Sequence, residues 1–310
     1  MQVIRTPDER FANLPGFEFE SHYLEVPAQK DHDERDGSPA TLRIHYLDEG
    51  PRDGQIVLLM HGEPSWSYLY RTMIPVLTAA GYRCIAPDLV GFGKSDKPTD
   101  QGDYTFARHV DWMRSALFDG LDLSDITLVA QDWGSLIGLR LVGEDPERFA
   151  RVVIANGGLP TGDQSMPDAF MAWQKFASET DSFPVGALIN GGSATDLSAD
   201  VIAAYDAPFP DDRYLAGARV FPSLVPTSPD DPATQANRAA WQTLVEFQRP
   251  FLTAFSDKDP ITKGGAAAFI GRVPGTQGQN HTTIQGGGHF LQEDCGPELA
   301  EVVVEFITAN

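Results

Sequence analysis

Short apolar runs alternate along the chain with stretches in which apolar residues recur every three or four positions. The runs predict strands, and the recurring positions predict amphipathic helices. The predicted strands span residues 41–47, 55–60, 83–86, 126–130 and 152–155, with helices at about 67–80 and 106–121. This alternation predicts an α/β fold with a mostly parallel central sheet flanked by helices.

The alternation stops after Asn156. From there to about residue 225 the sequence offers no convincing strand, only helix-sized pieces separated by glycine and proline. It then resumes with a helix at about 238–245, a strand at 251–255, a helix from 263, a strand near 281–284 and a closing helix at about 297–307. We predict a main domain of residues 1–156 and 226–310. An inserted helical cap at 157–225 should cover the carboxyl edge of the sheet, where open α/β sheets bind ligands.

Acidic side chains dominate the charge of the chain. There are 44 Asp and Glu against 23 Lys and Arg, for a formal net charge of -21. This disfavours nucleic acid and anionic membrane surfaces as partners. The N-terminus lacks the apolar core of a signal peptide and no run is long enough to cross a membrane, so we expect a cytoplasmic protein. Residues 29–38 should form an exposed hairpin or loop, because they are rich in charge and turn formers.

The two cysteines, Cys84 and Cys295, lie far apart in the sequence. Two isolated thiols indicate reduced cysteines rather than a disulfide framework or a metal site. We expect neither a metal nor another cofactor.

Asp132 occupies a sharp turn between a predicted strand and a predicted helix. Small residues flank it at Ala130, Gly134 and Ser135, the spacing of a nucleophile elbow. Serine hydrolases place Ser on that turn, whereas a carboxylate is already anionic at neutral pH, with a reference pKa of about 3.9. Attack by Asp132 on an electrophilic carbon would leave an ester on the enzyme. The alternative is that Asp132 only caps the following helix.

Two further residues follow predicted strands in the order nucleophile, acid, histidine that is typical of α/β-hydrolases. His289 comes after the last strand on a glycine-rich loop, and histidine is suited to take a proton from water near neutral pH. Asp259 could orient the imidazole and stabilise its charged form. Asp257 competes for this role, but Asp259 is preferred because it lies further beyond the strand end.

The segment His-Gly-Glu-Pro at residues 61–64 ends an earlier strand. In α/β-hydrolases this loop gives one backbone N–H to the oxyanion hole, and the residue after the nucleophile gives the other. Those donors would here be Glu63 and Trp133.

Four motifs together resemble the haloalkane dehalogenases, with similarity over the whole chain. They are residues 61–70 (HGEPSWSYLY), 87–98 (PDLVGFGKSDKP), 131–134 (QDWG) and 288–290 (GHF). The resemblance implies that Asp132 displaces halide from an sp³ carbon. A water activated by His289 would then hydrolyse the alkyl-enzyme ester to an alcohol. The implied partners are a small apolar halogenated substrate, water and halide ion, and we expect a monomer.

One branch of this family binds halide with two tryptophans. By resemblance these are Trp133, beside the nucleophile, and Trp173, in the predicted cap. The other branch uses an Asn where this chain has Glu63 and an acid where it has Asn156, so both positions favour the two-tryptophan branch. Trp173 could instead be only a packing residue of the cap. Three cap phenylalanines should supply an apolar substrate pocket: Phe170, Phe176 and Phe183.

An epoxide hydrolase is the nearest rival interpretation, because it shares the aspartate nucleophile and the His/Asp pair. It needs acids for the ring oxygen, usually two cap tyrosines, and the insertion contains two, Tyr205 and Tyr214. The tryptophans at 133 and 173 have no needed role in that reaction. A non-catalytic α/β-hydrolase relative should have lost a member of the triad, and none is lost.

Overall fold

The computed structural model describes residues 1–29 and 40–310. The loop predicted at 29–38 therefore lies almost wholly outside the described residues. The strands are β1 (Val3–Ile4), β2 (His22–Pro27), β3 (Thr41–Glu49), β4 (Ile56–Met60), β5 (Arg83–Pro87), β6 (Lys97–Pro98), β7 (Ile126–Gln131), β8 (Phe149–Ala155), β9 (Phe251–Ser256) and β10 (Thr282–Ile284). The α-helices are α1 (Ile74–Ala79), α2 (Phe106–Arg114), α3 (Trp133–Glu144), α4 (Asp168–Glu179), α5 (Val185–Gly192), α6 (Ala199–Asp206), α7 (Ala216–Leu224), α8 (Thr234–Leu244) and α9 (Leu291–Ala309).

Eight strands form one sheet in the order β10-β9-β8-β7-β4-β5-β3-β2. The pairings from β10 through β5 are all parallel, and β3 pairs antiparallel with both β5 and β2. The predicted α/β architecture with a mostly parallel sheet is therefore confirmed. Every residue of β7 and of β9 is buried, which explains their largely apolar sequences, because a parallel strand covered on both faces has no solvent-facing side.

The pattern of apolar residues does not predict the edge strand β2. It alternates partly and fully exposed residues, and only Val26 is buried. Its partner β3 supplies the register, with Leu24 opposite Ile44. A half-exposed strand rich in polar residues has too few apolar positions to be recognised from sequence alone.

Two of the predicted helices are not continuous α-helices, and the helices predicted at about 238–245 and 297–307 begin earlier than expected, as α8 and α9. The segment at 67–80 divides into a 3₁₀ turn and the short helix α1, and the segment at 106–121 continues α2 as a π-helix over Ser115–Gly120. The helix predicted from residue 263 is wrong. Only a 3₁₀ turn at Gly265–Ala268 forms there, between Gly264 and Gly271, which adopt φ of 83° and 82°. Such left-handed residues interrupt a right-handed helix.

The chain between β8 and β9 is helical, with α4 packed on α7 and α5 packed on α6. The helix α3 begins directly after the strand that ends at Gln131, and α8 packs against it. Among the described residues, no helix combines the length and apolar character needed to cross a membrane.

The start of α3 lies so close to β4 that a side chain does not fit there. A Cβ atom on Gly134 would come within 2.0 Å of the Met60 carbonyl oxygen. Glycine is required at this position because the strand and the helix must approach each other by backbone contact.

We expect Gly134→Ala to lower the free energy of unfolding by about 1–3 kcal/mol, because the added methyl meets backbone that cannot move aside. The matched control is Gly191→Ala in α5, where a Cβ atom meets nothing within 4 Å. That variant should have an unchanged free energy of unfolding or one up to about 1 kcal/mol higher, since alanine has a higher helix propensity than glycine. Urea unfolding followed by circular dichroism measures both. Equal effects of the two substitutions would contradict the packing argument.

Candidate active site

Asp132 lies between the end of β7 and the start of α3 with φ 51° and ψ -127°. A positive φ is unfavourable for aspartate and persists only where neighbours fix it. The Asp132 N–H donates to the Asn156 carbonyl at 3.0 Å, and its carbonyl accepts from the Ser135 N–H at 2.9 Å and the Ser135 hydroxyl at 2.6 Å. These contacts hold the turn so that the carboxylate projects from the carboxyl end of the sheet.

The loop after β4 packs directly against this carboxylate. A Cβ atom on Gly62 would lie 2.4 Å from the Cβ and Oδ1 atoms of Asp132, so only glycine permits the approach. The approach lets the Glu63 N–H donate to Asp132 Oδ1 at 2.8 Å. His61 supports the loop, because its Nδ1 donates to the Gly62 carbonyl and its Nε2 accepts from the Leu89 N–H, both at 2.9 Å.

His289 lies between two carboxylates. Its Nε2 is 3.5 Å from Asp132 Oδ2, and its Nδ1 is 3.0 Å from Asp259 Oδ2. Asp259 is buried, and its Oδ1 accepts from the Ile261 N–H at 2.8 Å. Asp257 is exposed and accepts instead from the Gly286 N–H at 2.7 Å. Asp259 is therefore the carboxylate that contacts the imidazole, and Asp257 is directed elsewhere.

The two carboxylates control the charge of His289. Burial acts to lower the pKa of His289, but the charge of Asp259 and the hydrogen bond and charge of Asp132 outweigh it and raise the pKa to about 10. Burial in turn acts to raise the pKa of Asp259, and the charge of His289 overcomes it, so this pKa lies below its usual value. The resting site therefore holds an imidazolium between two anions.

Two amide side chains that the sequence analysis gave no role hold the histidine loop. Asn156, at the end of β8, donates from Nδ2 to the Ser256 hydroxyl at 2.8 Å and to the Gly288 carbonyl at 2.9 Å. Gln131, the last residue of β7, donates to the His289 carbonyl at 3.1 Å. Their place at strand ends was the available signal, but nothing local in the sequence shows which loop they reach.

A cavity of about 1360 Å³ opens over Asp132 and His289. Its wall includes Trp133 and Trp173. The other three tryptophans donate their indole N–H groups to backbone carbonyls, namely Trp66 to Ala204, Trp112 to Ala28 and Trp241 to Leu159. The structure thus brings to the cavity both tryptophans that the family resemblance singles out.

The predicted apolar pocket needs a correction. Phe170 lines the cavity, but Phe176 and Phe183 are not part of its wall. Both instead pack on Trp173, with ring centroids 5.7 and 5.8 Å from the indole. Sequence could place these rings in the same inserted segment, but it could not show which ring faces the cavity.

The two cap tyrosines of the epoxide hydrolase interpretation do not reach the cavity either. Neither Tyr205 nor Tyr214 is part of its wall. The Tyr205 hydroxyl donates to the Glu293 carboxylate, which also pairs with Arg71. The acids that epoxide opening needs are therefore missing from the positions proposed for them.

Within residues 1–29 and 40–310, no group of three or more His, Cys, Asp and Glu side chains is arranged to hold a metal ion. Asp132, His289 and Glu63 lie together in the cavity wall, and Asp259 contacts the side of His289 away from Asp132. Their arrangement suits attack by a carboxylate followed by proton transfer to an imidazole.

Comparison with known proteins places the chain in a family. The model of the alpha/beta hydrolase fold matches residues 55–294. A haloalkane dehalogenase of Psychrobacter cryohalolentis is 58% identical over 310 residues, which is 100% of this chain and 99% of that protein. Haloalkane dehalogenase 1 of Mycobacterium tuberculosis is 54% identical over 310 residues, 100% of both chains.

A solved structure agrees with these relatives. The tetrameric haloalkane dehalogenase DpaA from Paraglaciecola agarilytica NO2 superposes with a TM-score of 0.86 at 35% identity, covering 97% of each chain. The epoxide hydrolase alternative is not favoured by these comparisons. The fold is that of the α/β-hydrolases, and the chain belongs to the haloalkane dehalogenase family, hydrolases that act on carbon-halogen bonds.

Proposed function

We propose that Asp132, His289 and Asp259 are the catalytic triad of this dehalogenase. The observation that carries the proposal is the chain of contacts from Asp132 Oδ2 to His289 at 3.5 Å and from His289 to Asp259 at 3.0 Å, at the base of the cavity. In the first step a carboxylate oxygen of Asp132 attacks the halogen-bearing carbon. The new C–O bond forms as the carbon-halogen bond breaks, and the halide leaves with the electron pair.

The position of Glu63 supports Oδ2 as the attacking atom. The Glu63 N–H holds Oδ1 at 2.8 Å, which leaves Oδ2, 3.5 Å from His289 Nε2, as the oxygen outside the proposed oxyanion hole. In the second step, water attacks the ester carbonyl and gives a proton to His289. Negative charge develops on Oδ1, where the backbone N–H groups of Glu63 and Trp133 form the oxyanion hole.

The charge of His289 changes through this cycle. While Asp132 is anionic, His289 is held as an imidazolium and cannot act as a base. Esterification removes the charge of Asp132, so the pKa of His289 falls, the ring releases its proton to solvent, and the neutral imidazole can accept the proton of water. Collapse of the intermediate moves that proton from His289 to the leaving alkoxide, and the regenerated carboxyl group of Asp132 gives its own proton back to His289. The balance is haloalkane plus water to alcohol, halide and a proton.

We propose that Trp133 and Trp173 receive the departing halide and that the chain belongs to the two-tryptophan branch. An indole N–H is a donor without acceptor capacity and suits an anion in an apolar wall. Their shared place in the wall of the cavity, with Phe170, supports this assignment and an uncharged apolar substrate. Residues 157–225 are proposed as the cap domain, and residues 1–156 and 226–310 as the main domain. We also propose a monomer, although DpaA is tetrameric.

Replacement of His289 with Phe should trap the covalent intermediate, because the ester forms without a base but cannot be hydrolysed. After incubation with 1-bromobutane, intact mass spectrometry should find the protein heavier by one butyl group, and peptide mapping should place it on Asp132. The double variant Asp132→Asn with His289→Phe is the control and should remain unmodified. An adduct formed with styrene oxide but not with haloalkanes would overturn the proposed reaction.

Trp133→Phe and Trp173→Phe should each lower kcat/KM for 1-bromobutane by roughly ten- to hundredfold, because each removes one hydrogen bond to a developing anion. Trp241→Phe is the matched control. It alters an indole in the wall of the same cavity whose N–H is already bound to the Leu159 carbonyl. Steady-state rates of halide release measure all three. A loss with Trp241→Phe as large as that with the other two would argue for packing alone.

Asp132→Asn should lower the pKa of His289 from about 10, because it removes one adjacent carboxylate as esterification does. The expected fall is about one unit or more, the effect of losing one nearby opposite charge. Nuclear magnetic resonance of labelled histidines measures it, with His289→Phe identifying the signal. Asp257→Asn, at the exposed carboxylate, should leave this pKa unchanged. An unaltered pKa of His289 in Asp132→Asn would contradict the proposal that the charge of Asp132 controls the protonation of His289.

A further inference from the structure

The side chain of Glu63 takes no part in the steps above, which use only its backbone N–H. Yet the Glu63 residue is only 4% exposed, and it lies in the wall of the cavity with Asp132 and Trp173. Its Oε1 atom is buried and has no hydrogen-bond partner among the described residues. A buried carboxyl oxygen without a partner is costly, which marks it as a candidate for a functional role.

Three groups act on this carboxyl group. Burial and the charge of Asp132 disfavour its anion, while the indole N–H of Trp173 and the charge of His289 favour it. The first two dominate and raise the pKa of Glu63 well above its usual value. The side chain is therefore held toward its neutral form beside an indole that the proposed function assigns to the halide.

Trp173 has a single N–H to donate, and two acceptors compete for it. A neutral carboxyl group is a weak competitor for that donor. A carboxylate is a strong one, since hydrogen bonds to charged groups are about twice as strong as neutral ones. A carboxylate would also repel an anion across a cavity wall of low polarity.

We propose that Glu63 sets the halide affinity of the site through Trp173. As a neutral acid it leaves the indole N–H to the halide, and as a carboxylate it takes that hydrogen bond and repels the anion. Glu63 is thus a positioning residue for the halide, in addition to the role of its backbone. The inference rests on the proposed halide site at Trp133 and Trp173.

The test measures bromide binding to the full-length protein. Quenching of tryptophan fluorescence at constant ionic strength reports the binding. For each variant the measured quantity is the ratio of the bromide Kd at alkaline pH to that at neutral pH. Circular dichroism confirms that the protein stays folded over this range. In the wild type the ratio should be large, because both the neutral form of Glu63 and the positive charge of His289 are lost as pH rises.

Glu63→Gln removes the first contribution and keeps the second, so its ratio should be smaller by roughly tenfold, the effect of one charged hydrogen bond. Asp257→Asn is the matched control at an exposed carboxylate and should keep the ratio of the wild type. In a Trp173→Phe background, Glu63→Gln should change the ratio much less, since the indole through which Glu63 acts is gone. If Glu63→Gln does not fold, Glu63→Leu replaces it, with the same expected reduction of the ratio.

A Glu63→Gln ratio equal to that of the wild type would overturn this inference and leave the proposed function intact. An equal effect of Glu63→Gln with and without Trp173 would also overturn it, because Glu63 would then act on the halide without the indole. Failure of the proposed function has a different signature. The wild type would bind no bromide at neutral pH, and His289→Phe would form no alkyl ester.

Discussion

The backbone of Asp132 is the constraint on which the rest of the site depends. A φ of 51° is unfavourable for aspartate. Three hydrogen bonds hold Asp132 there: its N–H donates to the Asn156 carbonyl, and its carbonyl accepts from the N–H and the hydroxyl of Ser135. Backbone contact between Gly134 and Met60 closes the turn from one side, and Gly62 closes it from another. Because the turn is packed this closely, the carboxylate needs little rearrangement before attack, and its Oδ1 is already held by a backbone donor.

The same carboxylate sets the state of its own base. One anion on each side of His289 keeps the imidazole charged while the nucleophile is free. Formation of the ester neutralises one of those anions, and only then does the proton affinity of the ring fall. The proposed sequence of attack and hydrolysis therefore follows from electrostatics between neighbouring groups and needs no large movement of the protein.

Buried polar groups around the nucleophile divide into those with partners and those without. Backbone carbonyls of the histidine loop accept hydrogen bonds from the amide N–H groups of Asn156 and Gln131, and the Leu159 carbonyl accepts from Trp241. The Oε1 atoms of Glu63 and Gln131 are both buried without a partner among the described residues, and of these two residues only Glu63 lies in the cavity wall. Buried polar atoms are usually satisfied, so an exception beside the nucleophile has chemical meaning. The inference about halide affinity follows from that exception.

The sequence by itself determined the α/β architecture, the turn that presents Asp132 and the strand ends from which Asp259 and His289 come. These follow from local patterns, since apolar runs define buried strands and small residues define the tight turn. Tertiary structure alone decided that Asp259 and not Asp257 contacts the imidazole, and that Phe176, Phe183, Tyr205 and Tyr214 lie outside the cavity wall. It also decided that the Glu63 side chain is buried without a partner. The physical reason is that the direction and burial of a side chain depend on segments distant in the sequence, which no local pattern contains.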